Sequence, residues 1–245
     1  VLKDLSNNNL DNTKIIDKKG DITLSFVGDI SLADNFDIMP YYDSRNEGVY
    51  GILSKEVVDI MISSDIMVAN NEFTISTRGT PLNKTYTFRA DPKRLNIYKE
   101  MGVNLVSLAN NHIYDYGIEA FNDTLKYLKE YYIPFVGAGH NISEAKKSFS
   151  YIVGGYKISF ISSTRAEKNI ITPGATSDSP GVFRCYDNTL LKETIKEEKE
   201  KVKDLLQKWL EETKKIKKSI TNANIRILGS VTPQHPRVAI NNQIP

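Results

Sequence analysis

Val103-Asn104-Leu105-Val106-Ser107-Leu108-Ala109-Asn110-Asn111-His112, followed by Asp115-Tyr116-Gly117, is the segment from which the organisation of this chain can be worked out. Val103 to Leu108 has the length and apolar character of a strand buried in a parallel sheet. The Asn-Asn-His run is its polar tip. Gly117 to Tyr131 then reads as a helix, with Phe121, Leu125 and Leu128 on one face. Strand, polar tip and helix form one unit, and the unit should recur if the domain is α/β.

It does recur. Ile22 to Val27 is a β-rich run that stops at Gly28-Asp29, and Gly51 to Ser63 has helical apolar spacing through Ile52, Val57, Ile60 and Met61. Ile66 to Ala69 is a second strand, ending at Asn70-Asn71-Glu72. Residues 91–101 read as a helix begun by Asp91-Pro92 and closed by Gly102. Ile133 to Val136 is a fourth strand, closed by Gly137-Ala138-Gly139. Tyr151–Val153 and Lys157–Ser162 flank Gly154-Gly155 as a β-hairpin. Residues 189–218 read as one long amphipathic charged helix, or two broken near Lys203, with Ile195, Val202, Trp209 and Ile216 seven apart to pack on the domain or on a partner helix. Arg226–Gly229 fits a last strand. Residues 1–20 are polar and read as an N-terminal linker, as if left after the removal of a preceding element, and 21–245 as a single domain.

The bulk numbers exclude more than they assign. The chain has 245 residues, 40% hydrophobic and 25% charged, with a formal net charge of +2. Near-neutrality gives no reason to expect a nucleic-acid partner. A single cysteine, Cys185, excludes an internal disulfide and any multi-cysteine metal site; it reads as a small buried hydrophobe. No run reaches the ~18 apolar residues needed to span a bilayer.

Chemistry is expected at the strand tips, because functional groups in α/β sheets gather beyond the carboxyl ends of the strands. Asp29, Glu72 and His112 bring carboxylate and imidazole ligands from three tips, and Asn111 can add a carbonyl oxygen. Two metals a few ångströms apart could clamp a phosphate-like group, with Glu72 as the shared carboxylate. Asp115, three residues after His112, either orients the imidazole or caps the following helix. His112 and Asp115 are therefore the expected catalytic pair. His140 fits a surface turn, and His235-Pro236 can present another ligand or be an ordinary loop. Arg78, Lys84, Arg89 and Arg165 lie near the tips, either to receive a polyanion or as scattered surface charge.

Phe26-Val27-Gly28-Asp29-Ile30, Asn70-Asn71-Glu72 and Ser107-Leu108-Ala109-Asn110-Asn111-His112 with Asp115-Tyr116-Gly117 resemble the bacterial capsule-synthesis CapA family, the poly-γ-glutamate synthesis proteins. Thr124-Leu125, Leu128, Ile133-Pro134, Val136 to Gly139 and Glu144-Ala145 continue the likeness, which covers residues 21–165. The resemblance implies a four-layered α/β/β/α sandwich similar to calcineurin-like metallophosphatases, with a dinuclear site. It places Asp29, Glu72, Asn111 and His112 on metal positions, with His235 as a further ligand. The cofactor it implies is one or two divalent ions of the Mn, Fe or Zn type. It also implies an extracytoplasmic protein held by an N-terminal anchor, acting on an anionic polymer or phosphorylated substrate alongside other capsule-synthesis membrane proteins. The second half departs from the pattern. No His-Trp-Gly segment is present, and Arg237 follows His235-Pro236 where a second His is expected. The second half of the fold is thus expected to be incomplete or altered. Two other functions fit the same residues: a general metallophosphoesterase, and a non-catalytic surface scaffold that keeps the fold.

Overall fold

A computed structural model describes residues 12–154, 156–165, 171–201, 211, 214 and 215. Along the chain come β1 (Thr13–Ile16), β2 (Leu24–Ile30), α1 (Ile38–Arg45), α2 (Lys55–Ser63), β3 (Ile66–Asn71), β4 (Thr74–Ile75) and β5 (Arg89–Ala90). They are followed by α3 (Leu95–Glu100), β6 (Leu105–Ser107), α4 (Gly117–Glu130), β7 (Phe135–Val136), β8 (Ala138–Gly139), α5 (Ile142–Ala145), β9 (Phe149–Val153), β10 (Tyr156–Phe160) and β11 (Gly181–Val182).

The central sheet has the order β2-β3-β6-β7, and every pair in it is parallel. Parallel neighbours need crossovers, and helices supply them. Ser54 opens α2 by accepting from Val57 N at 3.4 Å, and Asp91 with Pro92 opens the helical turn before α3. Gly102 ends α3 at φ +70, where a Cβ would stand 3.0 Å from Ile62 Cα, so the chain can turn against α2 only as glycine. The expected strand at 133–136 is shorter than its apolar run. Ile133 N bonds Leu128 O at 2.9 Å in the turn that closes α4, so only Phe135 and Val136 are strand residues.

Each face of this sheet buries a core. On one side Met67, Ala69, Val106, Phe121, Leu125 and Leu128 join the helices. On the other, Ile66, Leu105, Val136, Tyr151 and Val153 pack between the central sheet and a second sheet, β1-β9-β10. β9 and β10 form the expected antiparallel hairpin. The polar linker expected over 1–20 is corrected at Thr13–Ile16, which pairs in parallel with β9, residue 13 opposite 150. Ile16 joins the inter-sheet core, and that burial holds a four-residue strand that is too short to be seen as a pattern.

Residues 189–201 are helical, and Glu198 reaches Lys157 on the outer side of β10 at 3.5 Å. The layers are therefore α/β/β/α. Most of the remaining stretch expected as helix to 218, and the expected strand at 226–229, lie outside the described residues. Among the described residues no helix is long and apolar enough to cross a membrane.

Candidate functional site

The carboxyl ends of β2, β3 and β6 meet at a set of asparagines. The β2–β3 register shifts between Phe26 and Asp29, which brings Asp29 opposite Asn70. Asn70 Nδ2 donates to Asp29 Oδ1 at 2.7 Å. Asn110, 7% exposed, sits at the junction of all three tips. Its Nδ2 donates to Asn70 Oδ1 at 3.0 Å and to Asn71 O at 2.9 Å. Its Oδ1 accepts from His112 N at 2.9 Å and Ile113 N at 3.1 Å. That is a local side-chain turn, and it aims the chain at His112. Asn71 is wholly buried between Phe73 O and the Tyr98 hydroxyl and serves the core.

His112 is fixed through Nδ1, which lies 2.7 Å from Asp115 Oδ2. Asp115 is fully buried, takes a 2.8 Å bond from Phe88 N, and pairs with the Lys84 ammonium. Lys84 Nζ also donates to Asn111 O at 2.9 Å. Of the two roles open to Asp115, this is orientation of the imidazole, since α4 has no side-chain cap. The Phe88 ring lies 4.7 Å from the imidazole, closing one side of it. With Nδ1 engaged, Nε2 faces Glu72, whose Oε1 is 3.9 Å away.

Glu72 thus stands between His112 and Asp29. Its backbone is pinned by Glu72 N to Ile30 O at 3.0 Å. Burial pushes its carboxyl up to about 7, helped by the hydrogen bond and the negative charge of Asp29. The Asn70 amide, and then Glu72 itself, hold Asp29 below the usual carboxylate range against the opposing effect of burial. Two adjoining carboxyls whose negative charges oppose each other are an arrangement that a cation would relieve. Carboxylate oxygens and a neutral imidazole nitrogen are donors that Mn, Fe or Zn accept. Among the described residues, however, no three His, Cys, Asp or Glu side chains are already grouped as a metal site. The donor chemistry fits a divalent ion.

Other expected residues fall elsewhere. Asn111 is exposed and offers its backbone oxygen to Lys84 and, at 3.3 Å, to Thr172 Oγ1. His140 is exposed in a turn, its N–H donating to Glu144 at 3.1 Å. His235 lies outside the described residues. Cys185 is a buried free thiol. Asn70 and Asn110 complete the site and were visible only as the first members of Asn-Asn pairs at strand tips. Lys84, expected as a basic residue near the tips that receives a polyanion or is surface charge, instead pairs with Asp115.

A four-layered sandwich with acids and an oriented histidine at its strand tips defines the class as metallophosphatase-like in architecture. The model of the family described as bacterial capsule synthesis protein PGA_cap matches residues 23–230, and the chain belongs to that family. It is 29% identical over 172 residues to the PGA biosynthesis protein CapA of Bacillus subtilis, covering 66% of this chain and 43% of that protein. It is 27% identical over 180 residues to the capsule biosynthesis protein CapA of Bacillus anthracis, covering 71% and 42% respectively. A probable polyglutamine synthesis accessory protein of Mycobacterium tuberculosis is 30% identical over 128 residues, 51% of this chain and 34% of that protein. The matches therefore span less than half the length of these relatives.

Proposed function

We propose that this chain serves capsule or poly-γ-glutamate biosynthesis at the cell envelope, as a CapA-type protein with a metal-dependent phosphoesterase-like site. The observation that carries this reading is Glu72, held between the Asp29 carboxyl and the Nε2 of a histidine whose Nδ1 is already committed to Asp115. The Bacillus relatives, proteins of PGA and capsule biosynthesis, supply the biosynthetic and envelope context.

Asp29, Glu72 and His112 would hold one or two divalent ions, with Asn111, exposed next to His112, and His235 as further ligands. Such an ion supplies Lewis-acid polarisation of a phosphoryl oxygen and a bound water that ionises near neutral pH. The protein's own groups do the rest. Asp115 accepts from Nδ1–H and so leaves Nε2 with its lone pair towards Glu72. An imidazole not engaged as a ligand can pass a proton at Nε2, with Asp115 stabilising the imidazolium. Asn110 keeps the three tips in register.

The test is hydrolysis of a phosphodiester and a phosphomonoester by purified protein supplied with Mn, Zn or Fe. Activity that needs the metal and falls at least a hundredfold in both Glu72→Gln and His112→Ala supports the reading. Activity unchanged in either variant would refute it, and no activity with any metal would leave a non-catalytic scaffold.

A further inference from the structure

The basic residues around the strand tips differ in how their charge is met. Arg78 makes a two-bond contact with Asp123, at 2.9 and 2.6 Å. Lys84 pairs with Asp115, and Arg94 with Asp34 and Asp43. Arg89 donates to Arg78 O and Gly79 O and lies over the Tyr116 ring at 4.2 Å. Like Arg89, Arg184 and Arg165 have no acidic partner among the described residues, but these two lie against the same ring, that of Tyr186, at 5.4 and 5.9 Å.

Arg184 is also built into place. Its Nη2 donates to Thr172 O at 2.6 Å. Gly174 lies on its stem so closely that a Cβ there would stand 3.3 Å from Arg184 Cβ and 3.4 Å from Cδ. Its backbone is bridged to Thr164, and the adjoining Phe183 N donates to Gly137 O at 2.8 Å, just past the end of β7. The guanidinium is therefore ordered before any ligand arrives, and its Nε–H is buried without an acceptor among the described residues. An ordered cation that meets no counter-charge among the described residues loses little freedom on meeting an oxyanion.

Its position ties it to the acid and histidine tips. Thr172, which holds Arg184 through its carbonyl, donates through Oγ1 to Asn111 O, next to His112. Glu72 follows β3, His112 follows β6 and Arg184 is anchored beyond β7, so the three lie in order along one sheet edge. Two strand spacings separate β3 from β7, roughly 10 Å. A substrate with a reacting group at Glu72 and His112 and a second anionic group about that far along would reach both places.

We propose that Arg184 and Arg165, set around Tyr186, form an oxyanion subsite for a carboxylate or phosphate group of the substrate processed at the Asp29–Glu72–His112 tips. The subsite extends the proposed function and rests on it for the identity of the reacting end. Its own test is equilibrium binding of inorganic phosphate and of a poly-γ-glutamate oligomer to the whole chain, by calorimetry at low and moderate salt. The wild type should bind at least one probe, more weakly as salt rises. Arg184→Ala should weaken binding roughly tenfold or more. Arg165→Ala, an exposed change that leaves folding intact, should weaken it by a smaller factor, and Arg184→Lys should recover part of the loss.

A phosphate response alone identifies phosphate as the group bound, and an oligomer response alone identifies carboxylate. Binding by neither probe, or binding undiminished in the Arg165→Ala/Arg184→Ala double variant, would overturn the subsite. Bound metal measured in the same variants separates this outcome from failure of the tip site. The arginine changes should leave metal content as in wild type, whereas a defect at Asp29, Glu72 or His112 would lower it.

Discussion

Lys84 and Asp115, 31 residues apart, meet beneath the strand tips as a nearly buried ion pair, their side chains 12% and 0% exposed. Asp115 accepts from Lys84, Phe88 N and His112, so one carboxylate ties the loop over residues 80–88 to the imidazole. Leu82 N donates to Asp115 O at 2.8 Å and reinforces the same closure. Removing one partner of such a pair leaves the other charge buried and uncompensated. Lys84→Met should therefore cost roughly 3–5 kcal/mol in stability, read from urea denaturation midpoints. A loss under ~1 kcal/mol would mean that the pair is solvated in solution.

Asp115→Asn separates orientation from charge at the imidazole. The amide can still accept from Phe88 N, but it no longer selects the Nδ1–H form of His112 as the carboxylate does. Metal affinity should fall about 10- to 100-fold. Titration of the metal into the variant and wild type checks this, and equal affinities would remove Asp115 from the site.

The His112–Asp115 contact was legible in the sequence because it is local, three residues apart on one turn. Asp29 and Glu72 were legible for a different reason: apolar runs that break at polar residues mark strand tips, and parallel strands align their tips. Lys84 was legible only as a basic residue near the tips; its pairing was not, because it sits in a polar loop whose closure depends on tertiary bonds to Asp115 and Asn111. Thr13–Ile16 was hidden in the same way, since its partner strand begins more than 130 residues later. Arg184 carries no local signal either, and its role comes from Thr172, Gly174 and Tyr186 packing around it.

Gly79 is the hinge of the loop that carries Lys84. Its φ is +85, and a Cβ there would lie 2.2 Å from Tyr116 O. Both the backbone conformation and the contact exclude a side chain, so Gly79→Ala should destabilise by roughly 2 kcal/mol or more. Thermal unfolding reads the loss, and a melting temperature within a degree of wild type would contradict the close approach.

Arg78 and Ser76 hold the Asp123 carboxyl below its ordinary value, the guanidinium being the larger influence and burial opposing both. A lowered folded pKa means that the unfolded chain takes up protons first as pH falls. The stabilisation is therefore complete above the ordinary value of 3.8 and is lost as pH falls through the folded value. The stability gap between wild type and Asp123→Asn should narrow between pH 5 and pH 2, about the range over which such a carboxylate titrates. A gap independent of pH would show that the pair does not act through charge.

Everything proposed for function depends on Asp29, Glu72 and His112 acting together on a cation. The direct measurement is the stoichiometry and affinity of Mn, Zn and Fe bound to the whole chain, compared with Glu72→Gln and His112→Ala. The account predicts one or two ions bound at about micromolar affinity, with that affinity lost in both variants. No uptake by the wild type, or uptake unchanged by either substitution, would contradict it.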